Sequence, residues 1–282
     1  MHKAILIHLH IGALLLGVTA LFSKLIPYSA VDIIAYRALI CGLILLVIAL
    51  FLKHKLLLKN TNILLLLLFC SALFTIHWTA YFQAMQLSSV AIGIVSMFTF
   101  PVITVFLEPL IKKTKLHIQD ALMGLIVLLG VVLLVPSFSL SNSITVGVAF
   151  GLLSALAVAL RNILVSKYLA AVSPFTIMCY HGLVSALILL PFAEITPHEI
   201  NPTNWGLIIL LGTIFTAIPH TQKTYALRHE SAKTVSMIIS LQVVYATIFA
   251  YLLLGEVVDL KTLIGGSLIL FAAVYESVFA KH

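Results

Sequence analysis

Among the ionisable side chains that interrupt the long apolar runs of this 282-residue chain, five basic ones stand out: Arg37, His77, Arg161, His220 and Lys223. A charge in such a segment costs about 2.5–3.5 kcal/mol on membrane-insertion scales, so these residues are functional candidates by default. Their neighbours fall into polar stripes at helical spacing. Gly147, Ser154 and Arg161 recur every seven residues, and Thr213, Thr216, His220, Lys223 and Thr224 share a face beside Pro219. Cys70, His77 and Tyr81 share another, with Trp78 at its flank, while Ser236, Ser240, Thr247 and Tyr251 form a fourth. A donor-rich, cation-bearing set next to aromatic rings suits a small solute that is amphipathic or carries a carboxylate. Arg161 is the strongest single candidate for substrate binding, with His77, Trp78, Tyr81, Thr216, His220, Lys223 and Ser240 around it and His8 on the first apolar run.

Plainer readings stand beside these. Hydroxyls in membrane helices commonly satisfy a carbonyl one turn back. Arg37, near the start of a helix, reads as snorkelling outward or pairing with Asp32, and Lys223 as marking an interface. Glu108 and Glu276 are carboxylates that could couple transport to protons, but their places near helix ends favour snorkelling or pairing with lysine.

These residues need helices in lipid to position them. The sequence is 62% hydrophobic and 9% charged, against roughly a quarter charged in soluble domains. Ten apolar runs are long enough to span a bilayer, at Ile5 to Leu25, Ile33 to Leu52, Ile63 to Gln86, Val90 to Ile111, Asp120 to Val135, Val146 to Lys167, Phe175 to Phe192, Trp205 to Tyr225, Thr234 to Leu254 and Thr262 to Phe279. Barrel-type alternation is absent, and lipid leaves the backbone no other option than helices. The expected fold is therefore all-α. Cys41, Cys70 and Cys179 lie inside apolar segments without metal-ligand spacing and read as small core residues. The first run resembles a signal peptide, but a similar segment recurs mid-chain, which argues against cleavage.

The net charge of +7 would raise nucleic-acid binding in a soluble protein. Here the basic residues cluster between apolar runs, a pattern of membrane topology that leaves no nucleic-acid partner. With the N-terminus cytoplasmic, the inner connections hold Lys3, Lys53, Lys55, Lys59, Lys112, Lys113, Lys115, Lys167, Arg228, Lys233 and Lys281, and the outer ones only Lys24 and Lys261. Both termini are thus expected in the cytoplasm.

The second half repeats the first. Leu21-Phe22-Ser23-Lys24 matches Leu164-Val165-Ser166-Lys167, Ala35-Tyr36-Arg37 matches Cys179-Tyr180-His181, Ala84-Met85 matches Ala226-Leu227, and Gly124 matches Gly266. The units are residues 1–140 and 141–282. Five helices per unit is odd, so the second unit enters from the opposite side: an inverted repeat with its site near the midplane.

The segments Tyr81 to Pro101 (YFQAMQLSSVAIGIVSMFTFP) and Tyr225 to Glu256 (YALRHESAKTVSMIISLQVVYATIFAYLLLGE), the latter followed by Gly265-Gly266, resemble the signatures of EamA-type carriers of the drug/metabolite transporter superfamily. The resemblance covers nearly the whole chain. It implies a cavity walled by helices one, three, four, six, eight and nine, and export of amino acids or other metabolites across the bacterial inner membrane. Thr114 stands where the second repeat has Glu256, and Val243 where the first has Pro101.

Other functions find less support. His198-Glu199 and His229-Glu230 lack the second histidine of a metalloprotease, and no nucleophile elbow or phosphate-cradling loop appears. An intramembrane enzyme and a non-transporting receptor or scaffold remain the alternatives. The sequence leads to a secondary transporter that is not an enzyme, working by alternating access with Pro101 and Pro219 as hinges. Its expected partners are a small-molecule substrate and the bilayer, with no cofactor. Proton or ion coupling and a homodimer are left open.

Overall fold

A computed structural model describes residues 2–112, 118–137, 139–226 and 232–279. All regular structure among the described residues is helical. The helices are α1 (His2–Leu25), α2 (Ala30–Phe51), α3 (Thr61–Leu87), α4 (Val90–Met97), α5 (Phe100–Lys112), α6 (Ile118–Leu134), α7 (Ser143–Tyr168), α8 (Pro174–Leu189), α9 (Pro202–Gly212), α10 (Ile218–Ala226), α11 (Ala232–Leu254) and α12 (Leu260–Phe279). The pair α4–α5 makes one crossing, and so does α9–α10, joined by a π-helical turn over Thr213–Ala217. Seven spans have the length and apolarity to cross a membrane, and three shorter apolar helices, Ile118–Leu134, Ile238–Leu254 and Leu260–Tyr275, complete ten.

The ten spans occupy the expected places. Their starts are set by side chains that accept from free backbone N–H groups. Ser29 caps α2 through the Asp32 amide, Asn60 caps α3, Ser89 caps α4 and Asn142 caps α7. Asp259 caps α12 through the Thr262 amide at 2.6 Å. Its hydrogen bonds to Thr262 hold the Asp259 carboxyl below its ordinary value. That cap therefore stabilises fully above the ordinary carboxylate pKa and is lost as pH falls through the depressed one.

Helix pairing follows a two-fold relation between α1–α6 and α7–α12. The most extensive contacts join α3 with α7, α2 with α8, α1 with α11 and α6 with α12. Exchanging the halves maps α1 onto α7, α3 onto α9–α10 and α4–α5 onto α11. The packing of α1 on α11 and α10 then mirrors that of α7 on α4, α5 and α3. The pairs α2–α8 and α6–α12 map onto themselves and mark the axis.

Both axial pairs cross at glycines. A Cβ on Gly182 would stand 2.7 Å from Gly42 Cα, and one on Gly265 would stand 2.7 Å from the Gly130 carbonyl oxygen. In lipid, where helices gain little from hiding apolar surface from each other, such close approach supplies the dispersion contact that holds them. Large apolar side chains such as Leu43, Val47, Leu122, Leu125 and Leu128 point outward and are exposed, as a lipid-facing surface requires. Replacing Gly182 with Val should force the axial helices apart and cost about 1–3 kcal/mol. Thermal unfolding of the purified protein reads this; an unchanged midpoint would contradict the crossing.

Candidate functional site

Midway through the bundle, the helices enclose a cavity. It is lined by Leu16 and Thr19 of α1, Arg37 of α2, His77, Trp78 and Tyr81 of α3, Met97 of α4, Phe100 of α5, Val158 of α7, His220 and Lys223 of α10, and Gln242 of α11. The cavity volume is about 40 Å³, room for two to four waters at roughly 10–15 Å³ each. A metabolite fits only if the walls separate.

Two interrupted helices contribute to those walls. Pro219 has no N–H, so a carbonyl one turn back loses its helical donor, and a π turn precedes it. The Phe215 carbonyl lies 2.7 Å from Thr19 Oγ1 of α1, whose single proton it shares with the Leu15 carbonyl at 2.8 Å, and the Phe22 and Phe215 rings pack 5.1 Å apart. The other interruption lies at Phe98 and Thr99, between α4 and α5, just before Pro101. Its counterpart α11 runs unbroken through Val243.

The cavity-lining His77 is oriented by α7. Ser154 Oγ donates to the His77 carbonyl at 3.0 Å and so is free to accept from His77 Nδ1 at 2.7 Å. The network thus assigns the proton to Nδ1 and leaves Nε2 as a lone-pair acceptor on the cavity wall.

Arg37 is 1% exposed. Its guanidinium carbon sits 4.5 Å from the centre of the Trp78 ring and 4.8 Å from that of Phe82. Two of its donors, Nε and Nη1, have no hydrogen-bond partner among the described residues, and neither has Trp78 Nε1. It does not pair with Asp32, whose carboxylate is engaged by Ser29 Oγ and the amides of Glu194 and Ile195. The sequence contained the signal: five residues on a helix place Asp32 and Arg37 about 140° apart, so the two never faced each other.

Arg161 is equally deep but satisfied, and it lies outside the cavity lining. Its Nε and Nη2 lie 3.0 and 2.8 Å from His181 Nε2, and Nη1 donates to Asn162 Oδ1 at 3.0 Å. Because arginine can only donate, His181 accepts at Nε2 and carries its proton on Nδ1, which meets Ser71 Oγ at 2.8 Å. Ser71 passes the chain on to the Leu67 carbonyl. Phe74 stands between this network and the cavity, with its ring 4.9 Å from the Arg161 guanidinium carbon and 5.5 Å from the His220 ring.

Of the sequence candidates, the structure brings His77, Trp78, Tyr81, His220 and Lys223 together on the cavity wall. Thr216 is fully buried in the π turn with its hydroxyl unpartnered, and Ser240 is buried on α11; neither lines the cavity. His8 is exposed on α1, away from it. The hydroxyls of Thr213, Thr224 and Thr247 bond carbonyls one turn back, and Tyr251 is exposed. Thr114 and the side chains of Ser236 and Glu276 lie outside the described residues. Leu16, Met97, Phe100 and Val158 were not singled out by sequence, since their types are those of any apolar helix face, and neither were Thr19 and Gln242, each a neutral polar residue amid an apolar run.

On the face of the bundle opposite the chain termini the crossings are tied together above the cavity. Lys24 Nζ donates to the carbonyls of Gln86 and Ser88 at 3.2 and 3.1 Å, and Gln86 Nε2 returns to those of Ser23 and Tyr28. Gly255, with φ +68°, turns the chain out of α11, a conformation that suits glycine. Glu256 beyond it accepts from the Val90 amide at 2.9 and 3.2 Å, capping α4.

A ten-crossing bundle with a two-fold relation and a polar cavity at its centre is the architecture of a membrane carrier. The EamA-like transporter family model matches residues 3–135 and again 145–276, and the chain belongs to that family. It is 26% identical over 195 residues to an uncharacterized transporter of Archaeoglobus fulgidus, a match covering 68% of each chain. It is also 29% identical over 153 residues to the pseudopaline exporter CntI of Pseudomonas aeruginosa, covering 53% of this chain and 52% of that one. A solved crystal structure superposes with a TM-score of 0.67 over 98% of this chain and 96% of that one, at 16% identity, a likeness of fold alone.

The two arginines should respond differently to truncation. Arg161→Ala strands His181 and removes a buried network, costing about 1–3 kcal/mol of stability. Thermal unfolding of Arg161→Ala and His181→Ala checks this, and midpoints unmoved in both would contradict the network.

Proposed function

We propose that this chain is a secondary transporter that exports a small carboxylate-bearing, amphipathic solute, such as an amino acid or a close relative, across a bacterial inner membrane. The observation that carries the reading is the central cavity, where Arg37 and Lys223 share a wall with apolar and aromatic side chains and a few neutral polar ones. Such a wall suits a cargo with an anionic head and an apolar body. The lysine-rich connections on the face of the termini support a cytoplasmic placement of that face. The exporter name of CntI supports the direction.

Transport proceeds by alternating access: the two repeats rock about the cavity, opening it to each side in turn. Pro101 and Pro219 serve as hinges, since both adjoin interruptions where helical hydrogen bonds are already missing. The ties through Lys24, Gln86 and Glu256 form a latch on the outer side that separates when the cavity opens outward.

Counterflow into proteoliposomes tests the reading. Vesicles preloaded with amino acids, organic acids, amines or nucleotides should accumulate a labelled organic carboxylate and exclude amines. Movement of none of them would sink the carrier reading, and movement of amines alone would sink the carboxylate. The latch has its own test: Glu256→Ala removes a helix cap of about 1 kcal/mol, so amide exchange at Val90 should quicken by about fivefold. An unchanged exchange rate would remove Glu256 from the latch.

A further inference from the structure

We propose that Arg37 is the residue that binds the cargo's carboxylate and so selects organic anions over cations, an assignment that rests on the carrier reading. Its side chain is almost completely buried, yet its Nε and Nη1 donors face no acceptor among the described residues. A buried cationic donor without a partner is unfavourable unless something outside the chain completes it. Arg161 shows what completion looks like here, with His181 and Asn162 taking its donors.

The surroundings specify what would complete Arg37. Trp78 and Phe82, one turn apart on α3, hold their ring centres 4.5 and 4.8 Å from the guanidinium carbon, and the unpartnered Nε and Nη1 donors remain for a ligand. A guanidinium edge matches a planar carboxylate, and its stacking on aromatic rings limits the freedom lost on binding. Trp78 Nε1 adds an unpartnered donor on the same wall. Among the described residues no carboxylate side chain lines the cavity. Asp32 and Glu256 are both held at the far end of the bundle by other groups.

The rest of the wall restricts the cargo's body. Leu16, Met97, Phe100 and Val158 offer apolar contact, and His77 Nε2 offers one acceptor for a donor group on the cargo. Lys223 carries the same sign of charge as Arg37, so an amine without a carboxylate meets two cations and no anion. The ligand class is a monocarboxylate with an apolar or aromatic body.

The chain has two tryptophans, so Trp205→Phe leaves Trp78 as a reporter on the cavity wall. In that background, phenylacetate and phenethylamine present the same ring with opposite charge. Phenylacetate should change Trp78 emission and raise the unfolding temperature, while phenethylamine at equal concentration should do neither. Arg37→Gln should weaken phenylacetate binding by roughly ten- to a hundredfold. Arg37→Lys, which keeps the charge but loses the fork, should fall between.

A purely structural arginine would behave differently, because its loss lowers stability. For an anchor awaiting its anion, cargo-free Arg37→Gln should unfold at the wild-type temperature or above it. Four results would overturn the assignment: equal phenylacetate affinity in Arg37→Gln, equal binding of phenethylamine, no response of the wild type to phenylacetate, or a lowered unfolding temperature with the phenylacetate response intact. Counterflow separates the two readings. Transport that ignores Arg37→Gln removes the anchor and leaves the carrier, whereas Arg37-dependent binding without any transport removes the carrier and leaves an anion site.

Discussion

Lipid donates and accepts no hydrogen bonds, so each polar group on these spans must find its partner inside the protein. The bundle can be sorted by how well it meets that constraint. Most groups meet it locally or across one helix contact. Thr75 meets Ser185, His77 meets Ser154, and Arg161 reaches the Leu67 carbonyl through His181 and Ser71. Among the described residues the buried groups that do not meet it are Arg37 and the Trp78 indole on the cavity wall, Thr216, Thr221 and Gln222 in and after the π turn, Thr79 on α3 and Ser173 at the start of α8. Of these, Arg37 and the Trp78 indole are the unpaired donors that line the cavity, and on the proposed reading a passing solute completes them.

The same constraint explains why the broken helices sit where they do. Pro219 and Pro101 remove backbone donors, which is tolerable only beside protein groups that take over the freed carbonyls. Thr19 does so for Phe215, stitching α1 to the π turn across the repeat boundary. The repeats are alike in helix order but unlike in these details. The first has its break in α4–α5, and the second has its break in α9–α10 while α11 stays whole. Glu256 likewise acts on one face alone among the described residues, because its counterpart position holds Thr114. The two faces of the bundle are therefore built from different chemistry, and the face opposite the termini is the one tied by Lys24, Gln86 and Glu256.

Much of this fold was legible in the sequence. Continuous apolar runs announce spans whatever their tertiary partners, and the common order and near-constant offset of several short matches, Leu21-Phe22-Ser23-Lys24 with Leu164-Val165-Ser166-Lys167 among them, expose the repeat. The site was harder to read. Spacing puts Arg161 on a stripe with Gly147 and Ser154, and the structure keeps that stripe buried against neighbouring helices. Whether a buried arginine faces a cavity or an acceptor depends on the next helix over. His181 lies 20 residues away on α8, and nothing in α7 itself reveals it. Arg37 was set aside for the opposite reason, a place near a helix start that reads as snorkelling outward or pairing with Asp32, whereas it is buried on the cavity wall. His8 fell on the exposed side of α1 because periodicity gives a helix its faces without saying which one meets lipid.

The central claim is that this cavity opens to each side of the membrane in turn. Met97 lines it, and Cys41, Cys70 and Cys179 are buried. A Met97→Cys variant can therefore be challenged with a membrane-impermeant maleimide in right-side-out and inside-out vesicles. The account predicts labelling from the face of the termini at rest, and labelling from the opposite face when cargo is supplied there. Labelling from both faces at once would describe a channel, and labelling from neither under any condition would contradict the account.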